Sequence, residues 1–251
     1  MKAIEYGSEK RETVILLHGG GLSWWNYREE AELLQDDYRV ILPILDGHAG
    51  SGRPFTTIEA CAEGLLALID ERCGGSAALI GGLSLGGQVL LELLARRAGV
   101  CRHALVESAM VLPSPLTRAL IGPTFSGSYG LVKNRRFAAL QAKSLHIRPE
   151  LFEDYYRDTS AIAKKDMIAF LKASCSYALR DEAARSGARL RIFAGEKENR
   201  GVLRSAELLH ERLPGSSLTV LPGLYHGEFS LNRARDYAET VRAILREGEE
   251  K

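Results

Sequence analysis

Residues 77–91 read A-A-L-I-G-G-L-S-L-G-G-Q-V-L-L, and this stretch decides the fold. Its first half is a short apolar run of strand character. From Leu85 to Ala98 apolar residues fall on almost every face of a helix, which Gly99 ends. Between them lies Gly82-Leu83-Ser84-Leu85-Gly86, the only G-x-S-x-G in the chain. A sharp strand-to-helix turn there projects the Ser84 hydroxyl beyond the sheet edge, and the flanking glycines relieve the crowding of the turn. The helix N-terminus then offers partial positive charge where an oxyanion would form.

The rest of the chain repeats this alternation. Strand candidates are Lys2–Tyr6, Thr13–His18, Tyr38–Pro43, Ala77–Gly82, His103–Ser108, Ala188–Ala194 and Ser217–Leu221. The later ones are nearly continuous in Val, Ile, Leu and Ala, as expected of strands covered on both faces. G-S-E-K-R between the first two reads as a hairpin turn, which makes them antiparallel neighbours. Helical patterns fill the gaps at Tyr27–Gln35, Thr57–Arg72, Leu85–Ala98, Arg200–Arg212 and Leu231–Arg246, with Thr56 and Ser230 as candidate caps. The pattern predicts an α/β fold with a mostly parallel sheet of about seven strands flanked by helices.

One stretch breaks the alternation. From Val111 to Arg185 only helical patterns occur, so residues 1–110 and 186–251 form the core and 111–185 a helical cap inserted in it. Ligands bind beyond the carboxyl ends of strands in such sheets, and a cap there covers the site. Its apolar residues, among them Leu116, Phe125, Tyr129, Phe137, Leu140 and Phe170, either line a pocket or hold the cap to the sheet. P-T-F-S-G-S-Y-G (residues 123–130) reads as a glycine-rich lid.

A serine nucleophile needs a base and the base an acid. His226, in L-P-G-L-Y-H-G-E-F after the last strand, lies at the same sheet edge as Ser84. The loop after the sixth strand offers Glu196 and Glu198. Glu198 is preferred because it lies farther from the strand end, with Glu107 at the end of the fifth strand as the reserve. His18-Gly19-Gly20-Gly21 follows the second strand; glycines let backbone N–H groups approach a ligand closely, which assigns oxyanion donors to Gly20 and Leu85.

Composition bounds the partners. The 251 residues carry 33 Lys+Arg against 32 Asp+Glu, a balance that predicts neither a nucleic-acid nor a membrane partner. No apolar run approaches the length that crosses a bilayer. No secretory leader is visible, and Cys61, Cys73, Cys101 and Cys175 lack C-x-x-C spacing. The expectation is a cytoplasmic protein with free thiols, a small-molecule substrate and no cofactor or metal. Composition is silent on oligomeric state.

Taken together, L-L-H-G-G-G-L-S-W-W, D-G-H-A-G-S-G-R-P, G-G-L-S-L-G-G, A-G-E-K-E-N and Y-H-G-E-F resemble, in that order, the small serine-nucleophile members of the α/β-hydrolase superfamily. The resemblance implies a Ser84–Glu198–His226 triad and an oxyanion hole at Gly20 and Leu85. It implies that His18 and His48 shape loops and that Trp24 and Trp25 pack under the cleft. The family acid is more often Asp, and its second loop usually runs D-x-x-G-H-G-x-S, so this chain departs at both places. The expected reaction is hydrolysis of a carboxylic ester or thioester, with Trp24, Arg53, Phe125 and Tyr129 as substrate contacts. Alternatives are C–C bond hydrolysis or elimination by the same Ser–His pair on a carboxylate-bearing substrate, perhydrolysis, or ligand binding with little turnover.

Overall fold

The computed structural model describes residues 1–247, apart from the side chains of Ser126 and Ser128. Seven strands form one sheet: β1 (Ala3–Tyr6), β2 (Thr13–Leu17), β3 (Arg39–Pro43), β4 (Ala77–Leu83), β5 (Cys101–Glu107), β6 (Arg189–Gly195) and β7 (Ser217–Leu221). Their order across the sheet is β1-β3-β2-β4-β5-β6-β7, and every pair is parallel except β1 with β3. Every residue of β2 and β4 is buried, whereas β1 and β7 at the edges are only partly covered or exposed. Continuous apolar runs therefore take the middle of the sheet, where both faces lose water.

The expected hairpin between β1 and β2 does not form. β1 pairs with β3, Ala3 opposite Pro43 and Tyr6 opposite Val40, and β2 lies on the far side of β3. The G-S-E-K-R segment carries the chain past β3 instead. This order gives buried β3 hydrogen bonds on both edges and leaves the half-buried β1 at the rim. Gly7 makes the turn at φ 57°, where a Cβ would lie 2.4 Å from the Gln35 carbonyl oxygen.

The helices are α1 (Arg28–Leu34), α2 (Ile58–Cys73), α3 (Leu85–Arg96), α4 (Pro115–Ser128), α5 (Arg135–Ser144), α6 (Phe152–Ala161), α7 (Lys164–Ser174), α8 (Arg200–Arg212), α9 (Glu228–Asn232) and α10 (Ala234–Arg246). Thr57, not Thr56, caps α2, its Oγ1 accepting from the Ala60 N–H at 3.1 Å. The predicted Leu231–Arg246 helix is broken at Arg233, whose φ −128° and ψ 45° are not helical. Ser230 consequently lies inside α9 and caps nothing. Its N–H donates instead to Glu107 Oε1 at 3.2 Å.

Between β5 and β6 the chain runs through α4–α7 without a strand. The P-T-F-S-G-S part of the glycine-rich segment continues α4 rather than forming a loop. The α6 end is tied down by polar contacts. Trp25 Nε1 donates to Asp158 Oδ2 at 3.0 Å, Thr159 Oγ1 donates to the Gly21 carbonyl at 2.7 Å, and Arg28 pairs with Asp154. On α7, Asp166 Oδ1 accepts from the Phe55 N–H at 3.0 Å, and Phe170 is buried. Leu116, Phe137 and Leu140 are exposed rather than covered by the core.

The tightest backbone approach lies where β4 turns into α3. A Cβ at Gly86 would sit 2.1 Å from the Leu17 carbonyl oxygen, and one at Gly82 would sit 2.5 Å from the Gly86 backbone. Gly86→Ala should therefore destabilise the protein by about 1–3 kcal/mol or more through overpacking against backbone that cannot yield. A lowered urea midpoint checks this; an unchanged midpoint would mean that α3 can slide away from β2.

Candidate active site

Ser84 stands at the turn with φ 50° and ψ −108°, a backbone conformation that costs a non-glycine residue on the order of 1–3 kcal/mol. Its N–H donates to the Glu107 carbonyl at 2.8 Å, and its own carbonyl accepts from Gln88 at 3.0 Å as α3 begins. The strain is held by backbone bonds on both sides, and the side chain stays partly exposed.

Three loops meet at the residue before it. The Leu83 side chain lies 3.2 Å from a Cβ position on Gly19 and 3.1 Å from one on Gly227, the residue after His226. Leu83 thus spaces the nucleophile turn from the glycine loop and from the histidine loop. Sequence reading passed over it, since one leucine in an apolar run carries no distinguishing signal.

Gly20 and Leu85 are brought together: a Cβ on Gly20 would lie 3.6 Å from that of Leu85. Neither N–H makes a hydrogen bond among the described residues, and Gly20 is exposed. The neighbouring amides are occupied. Gly19 donates to Asn26 Oδ1 at 3.4 Å and Gly21 donates to His48 Nε2 at 3.0 Å. Phe170 closes one side, 3.3 Å from the same Gly20 position, and stacks on His48 at a centroid distance of 4.7 Å.

His18 and His48 are loop supports. His18 Nδ1–H donates to the Gly19 carbonyl and its Nε2 accepts from the Leu45 N–H. His48 Nδ1–H donates to the Asp46 carbonyl, which leaves Nε2 to accept from Gly21. Burial holds both rings neutral, pushing His48 down to about 4 and His18 well below the ordinary histidine range. A neutral ring with one donor and one acceptor fits these partners; an imidazolium does not.

The acids separate by environment. Glu198 Oε2 accepts from His226 Nδ1 at 2.7 Å. Its Oε1 accepts from Ser108 Oγ at 2.5 Å and from the Gly195 N–H at 3.1 Å. Burial raises its pKa, but His226, Ser108 and Gly195 together outweigh that and hold it below the ordinary range. Glu196 accepts from the Gly223 N–H and stays outside this set. Ser108 itself sits at φ 56°, a second strained serine at a strand end. Its position directly after β5 was visible in the sequence; the bond to Glu198 was not. Among the described residues no hydrogen bond joins Ser84 Oγ to His226.

The four expected substrate contacts are dispersed. Trp24 lies under the Arg28 guanidinium at 5.4 Å, while Arg53 faces Asp46 at 3.4 Å and lies against Gly64 of α2. Phe125 packs on the core below the cap, and Tyr129 donates to the Ile162 carbonyl. None bonds to Ser84 or His226 among the described residues. The described residues also contain no group of three His, Cys, Asp or Glu side chains able to hold a metal. All four cysteines are unpaired, and among the described residues no helix is long and apolar enough to cross a membrane.

The sequence model of the Alpha/beta hydrolase family matches residues 14–243, and the chain belongs to that family. A hydrolase is the class that this membership supports. No curated protein matches the sequence. Among solved structures, a thermophilic esterase from Thermogutta terrifontis superposes with a TM-score of 0.80 at 19% identity, covering 98% of this chain and 93% of that one. An esterase from Exiguobacterium antarcticum gives 0.80 at 20% identity, with 98% and 94% covered. The enol-lactonase from Burkholderia xenovorans LB400 gives 0.80 at 18%, with 97% and 95% covered.

Glu107 points into a different setting, behind the nucleophile turn. Burial pushes its carboxyl up to about 7 against the opposing hydrogen bond from the Ser230 N–H. Its Oε2, Glu30 Oε1 and the hydroxyls of Tyr27 and Tyr237 are buried without partners among the described residues. Because the folded pKa lies above the ordinary glutamate value of 4.5, the folded protein keeps a proton between about pH 4.5 and 7 that the unfolded chain has released. Stability must fall as pH rises through that window. Glu107→Gln should remove this loss, so its stability relative to wild type should grow by on the order of 2–3 kcal/mol from pH 4.5 to 8, read by urea denaturation. A constant difference would mean that Glu107 is ionised throughout.

Proposed function

We propose that the protein hydrolyses carboxylic esters or thioesters of small, mainly apolar substrates through an acyl-enzyme on Ser84. One observation carries the reading: Ser84 on its strained turn, two unpaired N–H donors beside it, and a histidine held by a buried carboxylate at one sheet edge. His226 donates Nδ1–H to Glu198, which leaves Nε2 as the acceptor for the serine proton. As that proton moves, Oγ bonds to the substrate carbonyl carbon, and the carbonyl oxygen takes the negative charge. The N–H groups of Gly20 and Leu85 stabilise that oxyanion. Collapse breaks the bond to the leaving alcohol or thiol, which takes the proton from His226. Water then repeats the sequence and releases the acid.

A Ser84–His226 hydrogen bond is not required in a free site, since such bonds often tighten only when substrate is bound. A fixed Glu198 matters because the imidazolium formed in each half-reaction needs a negative partner already in place. Phe170, Phe125 and Tyr129 supply apolar and aromatic surface for the substrate, and Trp24 and Arg53 complete the proposed contacts. A small molecule is the only partner this chemistry requires, and it needs no metal or cofactor. Unpaired thiols fit a reducing compartment, the cytoplasm. The esterases and the enol-lactonase that share the fold support the reaction class, a lactone being an internal ester.

The intact mass of the protein after exposure to a fluorophosphonate should rise by one adduct, and Ser84→Ala should show none. An unmodified, folded wild type would overturn the activated-serine reading and leave ligand binding as the alternative. Ser108→Ala should lower kcat on a short-chain ester by roughly 10-fold or more while leaving KM nearly unchanged, and should raise the lower pKa of the pH–rate profile. Equal loss at every pH would assign Ser108 a purely structural role.

A further inference from the structure

The chain's net charge of +1 conceals a sharp segregation. From Ser108 to Pro149 there is no Asp or Glu at all, while Arg118, Lys133, Arg135, Arg136, Lys143 and Arg148 fall within it. Two of these are neutralised from outside, Arg135 by Glu153 and Arg148 by Glu29. Arg118, Lys133, Arg136 and Lys143 are exposed and have no ion pair among the described residues.

The same segment holds most of the molecule's exposed apolar bulk. Eight large hydrophobic side chains are exposed among the described residues. Six of them lie here: Leu116, Leu120, Leu131, Phe137, Leu140 and Leu145. On α5 the two properties share one face. Arg136, Phe137, Leu140 and Lys143 stand at i, i+1, i+4 and i+7, and all are exposed, Leu140 by 67%. Ala138 and Ala142, turned the other way, are buried and fasten the helix. A purely solvated helix face would carry charges of both signs and little apolar bulk.

A groove opens beside this face. It has a volume of about 570 Å³ and an apolar wall of Ala139, Ala142, Ile147, Pro149 and Phe152, with Lys143, His146, Arg148 and Glu228 at its polar side. His146 stacks on Tyr225 at a centroid distance of 4.0 Å, and Tyr225 directly precedes His226. The groove therefore runs from the basic helix toward the histidine loop.

We infer that the outer face of α5, with its flanking leucines, is an interfacial surface that docks on lipid carrying anionic headgroups. Leu140, Phe137 and Leu145 enter the acyl boundary, Arg136 and Lys143 meet the headgroups, and the groove takes an acyl chain. Charge complementarity selects this occupant: a helix that lies in the membrane plane combines apolar side chains on one side with Lys and Arg at its flanks. The inference concerns peripheral attachment only and stands apart from the chemistry at Ser84.

Co-sedimentation of the full-length protein with vesicles tests it. Phosphatidylcholine vesicles containing phosphatidylglycerol should bind the protein, and pure phosphatidylcholine should bind it at least about tenfold more weakly. Raising the salt should release it, because the attraction is screened beyond a Debye length. The double variant Leu140→Glu, Lys143→Glu should lose binding by more than about tenfold. Its urea midpoint should match wild type, since both side chains are exposed. Absence of wild-type binding would overturn the proposal, as would equal binding by the double variant. A dimer of the wild type that the same variant dissociates, seen by sedimentation velocity without vesicles, would reassign the face to a second copy of the chain.

Discussion

Everything at the site hangs on one close backbone approach, that of Gly86 to the carbonyl of Leu17. It presses the start of α3 against the end of β2 and forces Ser84 into a conformation that a serine otherwise avoids. The same contact sets the spacing between the nucleophile turn and the glycine loop, because that loop begins directly after Leu17. Ser84 on the turn, Gly20 on the loop and Leu85 at the helix start are therefore mutually fixed by backbone alone. Side chains are then free to tune the site without having to build it.

Tuning is clearest in the two carboxylates. Glu107 ends β5 and Glu198 follows β6, yet Glu198 is held below the ordinary carboxylate range while Glu107 is pushed up to about 7. The difference is the number of donors. Glu198 receives three, from His226, Ser108 and Gly195, whereas Glu107 receives one backbone N–H and faces buried tyrosine hydroxyls and another acid. Burial alone raises both; hydrogen bonding to the charged form decides which one is held low and which is left high.

Much of this was legible in the sequence, for definite reasons. A strand buried on both faces must be continuously apolar, so β2, β4 and β5 announced themselves. The glycines of the 82–86 turn were readable because only glycine survives contact with a carbonyl oxygen at that distance. Pairing was not readable. The G-S-E-K-R stretch has the composition of a turn whether the strand after it lies next door or beyond a neighbour. The break at Arg233 left no mark either, because amphipathic spacing continues through it. Glu198 was chosen for its distance from the strand end, but the bond from Ser108 that helps to fix it was not readable, because it exists only once β5 and β6 lie side by side. The outward leucines of the cap looked like core, since composition cannot tell an apolar residue that is covered from one that is not.

The insertion between β5 and β6 is also two pieces with different freedoms. Its α6 end is bound into the glycine loop through Thr159 on Gly21, Asp158 on Trp25 and Asp154 on Arg28. Changes there would reach the amides beside Gly20. The stretch from α4 through α5 has no such bonds to the glycine loop among the described residues. Over generations the two parts should accumulate replacements at different rates, with 154–159 constrained by the glycine loop and 115–145 answering only to its own outer surface. Relatives that accept different molecules would then differ mainly in the first piece, and exchanging it between them is the natural route to a new preference.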